Sequence, residues 1–520
     1  MDDLGRVTSS STQESKIRSL QHMVTENHEF VDTSHLEDSN RIEPKGDHEG
    51  GPPNRINDLN YSDWMKFQKS FFRYPGDQTT VAECIYFFTK EQYNDRLSKT
   101  LLLGFDSVNP SQIKTEREID HRAISSCDAA VNALSSYPAN SYDFILVDFQ
   151  ECVDTQSQLS EFLEQYADNF WVELRATLVA ERFAGVFVGL PSSGGGGYPL
   201  PWAVAGSCRD HVKLKDEKVG LRTNTGEVTY SLFVQAKDDH RASTWLPPDD
   251  LKVKDDSPQI DIPAWTIPKP PARDEDEILH PAKYPETLIE EFIQLFTEEG
   301  DAVLDPMVGT GSTVLAAIQN ERDGYGIDLE KEFVEIAQNR AEDEYRMTLS
   351  GEIKPEAENL IIQGDATELA SMREFDAIQF DYAVTSPPYW SMLNNPGSEN
   401  QKERREKDLP LKYSERDTDI GNIENYEEFL DTLESVYGQV ADRLKHDGHL
   451  TVVVKNVKRD HVIYPLAWDL VKRLCCESGS YEYLGTTLWC QDDIGLKPFA
   501  VGTHWVSNTL HNYCLHFAKS

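Results

Sequence analysis

The chain has few cysteines, and none at a metal or redox spacing. Eight occur in 520 residues, at 84, 127, 152, 208, 475, 476, 490 and 514. None forms C-x-x-C and none has histidines at zinc spacing. That pattern speaks for reduced, mostly buried thiols in a cytoplasmic protein, not for a zinc site or a disulfide framework. Long apolar runs are missing too, at 39 % hydrophobic content, so no membrane span is expected. Nothing at the start resembles a signal peptide. Positive charge is the third shortage: 50 Lys and Arg stand against 90 Asp and Glu, a net charge of −40. A polyanionic partner is then met by a local basic cleft, or the acidic surface belongs to a salt-rich host.

Five hundred and twenty residues suffice for two to four domains. Residues 1–55 are polar, end in Gly-Gly-Pro-Pro and read as a disordered tail. A helix is expected near Tyr61–Phe72, with Trp64, Phe67, Phe71 and Phe72 on one face; it docks on the core or wedges into DNA. Residues 56–240 make an α/β region with strands at Tyr142–Phe149 and Phe183–Leu190 around a helix at Leu159–Glu181. Pro191–Gly197 reads as a glycine-rich linker loop. Residues 241–275 are rich in Pro and Asp and read as a linker into a last domain, 276–520.

That last domain is organised around two stretches. The first is Asp301–Asp328, DAVLDPMVGTGSTVLAAIQNERDGYGID. Ala302-Val303-Leu304 is an apolar run ending at Asp305-Pro306. Gly309 and Gly311 follow, then a helical pattern from Ser312, then a short strand closing at Asp328. Glycines at such a turn let the backbone approach a ligand closely. An acid closing the next strand can accept both hydroxyls of a ribose. The unit therefore suits an adenosine-like cofactor; a glycine turn that merely packs helix on sheet is the alternative. A dinucleotide is disfavoured, because Val314 stands where G-x-G-x-x-G needs Gly or Ala. Asp305 also sets a carboxylate where a pyrophosphate would need donors, and a carboxylate suits a methionine amino group. The second stretch is Thr385–Trp390, TSPPYW, after the strand pattern of Phe380–Val384. Paired prolines fix a rigid, extended turn and remove two backbone donors.

In order, D-P-x-x-G-x-G-(S/T)-T and S-P-P-Y resemble motifs I and IV of the amino-methyltransferases of DNA. His280-Pro281-Ala282-Lys283-Tyr284-Pro285 is similar to motif X of that family, which lines the methionine end of the cofactor. The resemblance covers roughly residues 275–519 and implies a Rossmann-like class I methyltransferase domain. It implies S-adenosyl-L-methionine as cofactor, held by His280, Tyr284, Pro285, Asp305, Pro306, Gly309, Gly311, Asp328 and Asp365, the last accepting the adenine amino group. It implies catalysis by Ser386, Pro387, Pro388 and Tyr389. Acceptors at Ser386 and Pro387 would take both hydrogens of an exocyclic amine, Pro388 would hold the turn, and Tyr389 would stack on a base flipped from duplex DNA. No metal is called for. A C5-cytosine enzyme of this kind needs a Pro-Cys nucleophile, and the chain has no Pro-Cys dipeptide.

Ser386 leans the resemblance towards N4 of cytosine. N6 of adenine, an RNA or tRNA base, and a DNA-binding subunit with vestigial activity stay open. A restriction or defence-system partner and a prokaryotic, cytoplasmic setting follow from the same likeness. No target-recognition region is visible late in the chain. The charged segment Asn394–Asn422 is either a solvated insertion or a cover for the target strand. Finally, residues 79–240 echo the end of the chain. Tyr142-Asp143, Glu161-Phe162-Leu163 and Tyr198–Trp202 line up with Phe380-Asp381, Glu428-Phe429-Leu430 and Tyr464–Trp468, at offsets of 238, 267 and 266. Asp148–Glu151 then replaces Ser386–Tyr389, and no D-P-x-x-G-x-G precedes it. The expectation is a diverged, inactive α/β half-copy.

Overall fold

The computed structural model describes residues 56–520 except 94, 154–155, 190–199, 209–210, 237–259, 261, 269–283, 350–357, 389, 391–417, 460–461 and 492–508. The tail 1–55, the Pro191–Gly197 loop and most of 241–275 and 394–422 therefore lie outside the described residues. Among the described residues, no helix is long and apolar enough to cross a membrane.

The chain builds two mixed sheets. The first uses β1 (Phe71–Arg73), β4 (Lys99–Leu103), β5 (Glu118–Arg122), β6 (Tyr142–Asp148), β7 (Leu178–Gly189), β8 (Lys213–Leu221) and β9 (Val228–Gln235). Its order is β1-β8-β9-β7-β6-β4-β5, with a small hairpin of β2 (Gln92–Tyr93) and β3 (Arg96–Leu97) apart. The second uses β10 (Trp265–Thr266), β11 (Ala302–Asp305), β12 (Asp323–Asp328), β13 (Asn359–Gln363), β14 (Phe380–Thr385), β15 (Leu444–Val454), β18 (Tyr481–Cys490) and β19 (His511–Lys519). Its order is β10-β18-β19-β15-β14-β11-β12-β13, with β16 (Val457–Arg459) and β17 (Val462–Tyr464) forming a separate hairpin. Parallel strands covered on both faces need continuous apolar runs. The first six residues of β6 are buried accordingly, as are Tyr382–Thr385 of β14.

Helix Glu286–Phe296 shows how the second core forms. Leu288, Ile289, Phe292, Ile293 and Phe296 recur at three- and four-residue spacing and are all buried. Phe296 stacks on Tyr382 of β14, with ring centroids 5.3 Å apart. Each such burial contributes about 1.5–3 kcal/mol against exposure.

Three expected elements are redrawn. The helix at Tyr61 ends at Lys66, and Phe71 and Phe72 belong to β1, paired parallel with Val219 and Gly220. Trp64 and Phe67 do dock on the core, Phe67 stacking on Phe87. The helix expected to Glu181 stops at Thr177, because Leu178 already pairs with Tyr142 as strand. Trp265–Thr266, inside the expected linker, is an edge strand parallel to Leu488–Trp489.

The two sheets run alike. In each, one strand (β9 or β19) is antiparallel to both neighbours, and every other pair is parallel. Register slips at matching places: Tyr142/Phe144 and Phe380/Tyr382 in one strand, Leu214/Asp216 and Tyr483/Gly485 in another. The second residue of β6 and of β14 is an aspartate. Asp143 accepts the Lys99 N–H at 3.0 Å and pairs with Arg96 at 2.6 Å. Asp381 accepts the Ala302 N–H at 2.9 Å and pairs with Lys445 at 2.6 Å.

The sheets meet along a buried, polar seam. Asn456 donates to Glu217 of β8 at 2.8 Å, and Lys458 lies 3.7 Å from Asp216. The Ser70 hydroxyl lies 2.7 Å from His511 Nδ1 and accepts the Leu510 N–H at 2.8 Å. Trp202 meets Tyr513 edge-on at 4.8 Å. Burial pushes His511 down to about 3, keeping it neutral, and raises Glu217.

Candidate active site

The site forms where β11, β12, β13 and β14 end, the edge at which open α/β sheets hold ligands. β11 ends at Asp305, Pro306 and Met307 follow, and the chain turns through Gly309 (φ 52°) and Gly311 (φ 91°) into helix Ser312–Gln319. A Cβ on Gly311 would sit 2.9 Å from that of Ala337, so both conformation and space require glycine. The next strand is equally tight: a Cβ on Gly326 would come within 2.8 Å of the Val308 side chain. The turn is therefore seated directly on β12.

Asp328 closes β12 and pins this turn. Its Oδ2 accepts the Gly309 N–H at 2.9 Å and its Oδ1 the Glu330 N–H at 2.9 Å. Burial pushes its carboxyl up to about 6, and those two N–H groups oppose the rise. Asp365 follows β13 and caps a short 3₁₀ turn, its Oδ1 accepting from the Thr367 N–H at 3.0 Å and hydroxyl at 2.7 Å.

These ends open onto one pocket. Pro306, Met307, Asp328, Asp365, Ser386 and Pro388 all line it. The expected cofactor turn and the expected catalytic turn thus share one opening. Pro387 is buried beside them. His280 and Tyr389 lie outside the described residues.

Asp305 and Tyr284 are placed differently from the ligand-contacting role expected of them. Asp305 is fully buried and does not line the pocket. Its Oδ1 accepts the Met307 N–H at 3.0 Å, and its Oδ2 accepts from Tyr284 at 2.7 Å and Thr313 at 2.6 Å. Burial raises its carboxyl, and the hydroxyls of Thr313 and Tyr284 oppose the rise. Pro285 precedes helix Glu286–Phe296 as its cap and also lies away from the pocket lining.

Several residues that line or brace the site were not singled out in the sequence, although the charged segment Asn394–Asn422 as a whole carried a covering reading. Phe333, Thr418, Asp419 and Ile420 line the pocket, the last three brought in from the far end of the charged segment. Arg340 donates to the Thr310 carbonyl at 2.6 Å and to Glu286 at 2.6 Å, while Ser312 donates to the same carboxylate at 3.1 Å. This clamp ties the glycine turn to the helix after Tyr284. An Arg on a helix with mixed charges, Lys331–Leu349, looks like any solvated arginine.

Strand order and pocket together define a Rossmann-like fold of the methyltransferase kind. The chain matches the DNA methylase family over residues 53–339, more than half its length, and belongs to that family. Among curated relatives, it is 44 % identical over 63 residues to the type II methyltransferase M.BglII of Bacillus subtilis, 12 % of this chain and 18 % of that one. It is 48 % identical over 65 residues to M2.DpnII of Streptococcus pneumoniae, 12 % and 24 % of the two chains. Over 66 residues it is 42 % identical to M.HpaI of Haemophilus parainfluenzae, 13 % and 21 %. These alignments span less than a quarter of each relative's length.

Proposed function

We propose that this protein is a site-specific DNA methyltransferase that uses S-adenosyl-L-methionine to methylate an exocyclic amino group, N4 of cytosine by preference. The carrying observation is the shared pocket, in which Asp328, Asp365 and the Pro306-Met307 turn face the same space as Ser386 and Pro388. Family membership and the type II relatives support DNA as substrate.

The residues present fit that cofactor. Asp328 suits a ribose, because each of its oxygens has one N–H partner and keeps a lone pair. Asp365 uses Oδ1 for its cap, which leaves Oδ2 for an amino donor such as that of adenine. When bound, S-adenosylmethionine supplies a methyl group on a sulfonium centre. Ser386 and the Pro387 carbonyl orient the target amine by accepting its two hydrogens, which frees its lone pair from the ring. Pro387 and Pro388 hold those acceptors in place before the base arrives, so that catalysis is mostly positioning. A base in duplex DNA reaches such a pocket by flipping out.

The first half reads as a diverged copy without a cofactor site. Strand order, strand direction, both register slips and the paired aspartates support this. Carried along the strand pairings, Leu102 falls at the place of Asp305 and Ala123 at the place of Asp328. A 3₁₀ turn, Pro110–Gln112, stands where helix Ser312–Gln319 would follow the glycines. The places of Asp305, Asp328 and the glycine turn are therefore all taken by other residues. Such a copy offers DNA-facing surface and a partner for the active half, as a second subunit would. A restriction nuclease encoded alongside fits the type II relatives.

The test is transfer of labelled methyl from S-adenosylmethionine to DNA by purified protein, with N4-methylcytosine and N6-methyladenine resolved in the product. N4-methylcytosine is the expected result. N6-methyladenine would move the target to adenine, and label in RNA alone would replace the substrate class.

A further inference from the structure

Three short oxygen–oxygen contacts close a ring beneath the pocket. Tyr284 Oη lies 2.7 Å from Asp305 Oδ2 and 2.5 Å from Thr313 Oγ1, and Thr313 Oγ1 lies 2.6 Å from the same Oδ2. Each contact needs a proton. Two hydroxyls supply two. An ionised Asp305 leaves the third contact as a pair of bare oxygens at hydrogen-bond distance. A protonated Asp305 completes the ring: each oxygen donates once and accepts once, while Oδ1 still accepts the Met307 N–H at 3.0 Å. The surroundings agree. Asp305 and Thr313 have no exposed surface, and among the described residues no cation bonds to Asp305. A buried carboxylate that is hydrogen-bonded but paired with no cation is expensive.

We propose that Asp305 is a neutral positioning residue, locked by Tyr284 and Thr313, rather than the partner of a ligand ammonium group. The inference rests on the methyltransferase reading of this pocket. The ring joins the segment entering helix Glu286–Phe296, the end of β11 and the first turn of helix Ser312–Gln319. Through Met307 it sets the pocket floor. Tyr284 and Thr313 thereby act on the cofactor turn without touching the ligand.

Substitution and spectroscopy separate this role from charge pairing. Asp305→Asn keeps shape, neutrality and the acceptor for Met307. Its affinity for S-adenosylmethionine, by calorimetry, should stay within about threefold of the unaltered protein, whereas Asp305→Ala should lose tenfold or more, about the scale of an uncompensated buried group. Tyr284→Phe, which opens the ring at one contact, should fall between them. In the infrared difference spectrum between unaltered protein and Asp305→Asn at neutral pH, a protonated-carboxyl band should appear. The proposal is overturned if carboxylate bands appear instead, or if Asp305→Asn melts normally yet loses as much affinity as Asp305→Ala. Should the unaltered chain bind no S-adenosylmethionine, the reading of the pocket fails, and the infrared experiment still decides the state of Asp305.

Discussion

Asp328 tests the cofactor site most sharply, because one carboxylate both pins the turn and lines the pocket. A net hydrogen bond to a charged group contributes about 1.5–3 kcal/mol. Asp328→Ala should therefore weaken S-adenosylmethionine binding by about 10- to 150-fold. The pH dependence is a second handle. With its carboxyl pushed up to about 6, Asp328 is ionised at pH 8 and mostly protonated at pH 5. If the ligand needs the ionised form, affinity should fall about tenfold for each unit below that value. Stability moves the other way. The folded value lies above the ordinary 3.8, so this group's contribution to the unliganded fold is fully present below about 4 and lost as pH rises through about 6. Calorimetry at pH 8 and pH 5, beside urea unfolding of the unliganded protein, reads both signs. Asp328→Asn should flatten the binding profile. Unchanged affinity in Asp328→Ala, or an Asn variant that keeps the full slope, would refute the reasoning.

Four further outcomes are expected. Gly311→Ala must hold φ at 91° and fit its methyl 2.9 Å from Ala337, so it should lower stability by about 2–4 kcal/mol in urea unfolding. Pro387→Ala and Tyr389→Ala should cut single-turnover methylation strongly at saturating DNA and leave cofactor affinity nearly intact; wild-type turnover in either removes the motif from the chemistry. Asp148→Ala, in the first half, should leave methyl transfer unchanged in the same assay, and loss of activity would mean that half does chemistry of its own. Asn456→Ala strips a donor from the buried Glu217 and should cost about 1–3 kcal/mol by urea midpoint, without altering cofactor affinity.

The site was legible where chemistry and backbone geometry coincide in sequence. Gly309, Gly311 and Asp328 are spaced by the strand–turn–helix they build; Asp328 lines the pocket, and the two glycines shape the turn behind it without lining it. For Asp305 the linear pattern leaves the direction of the carboxyl open. Its position fixes the end of β11, but whether its carboxyl points to the ligand or beneath it depends on Tyr284 and Thr313, whose hydroxyls nothing in a linear pattern orients. Arg340 and Asp419 reach the site across long separations, and their neighbours read as solvated charge. One of the three short matches between the halves, Tyr142-Asp143 with Phe380-Asp381, falls where β6 and β14 each keep an aspartate at a bulge. The seam was not visible at all. Asp216-Glu217-Lys218 in β8 is a run of charges, yet all three are buried, two of them against Asn456 and Lys458 of the second half.

That seam also bears on how the chain is made. Ser70 waits for Leu510, 440 residues later. At about 5–20 residues per second, synthesis leaves Ser70 without that partner for roughly 20–90 s. A seam of leucines would spend that interval as a sticky patch. Asp216, Glu217 and Ser70 instead spend it hydrated, and give up that water only when Asn456, Lys458 and His511 arrive. Its polarity costs the finished fold some stability, and keeps the nascent half-molecule from finding the wrong neighbour.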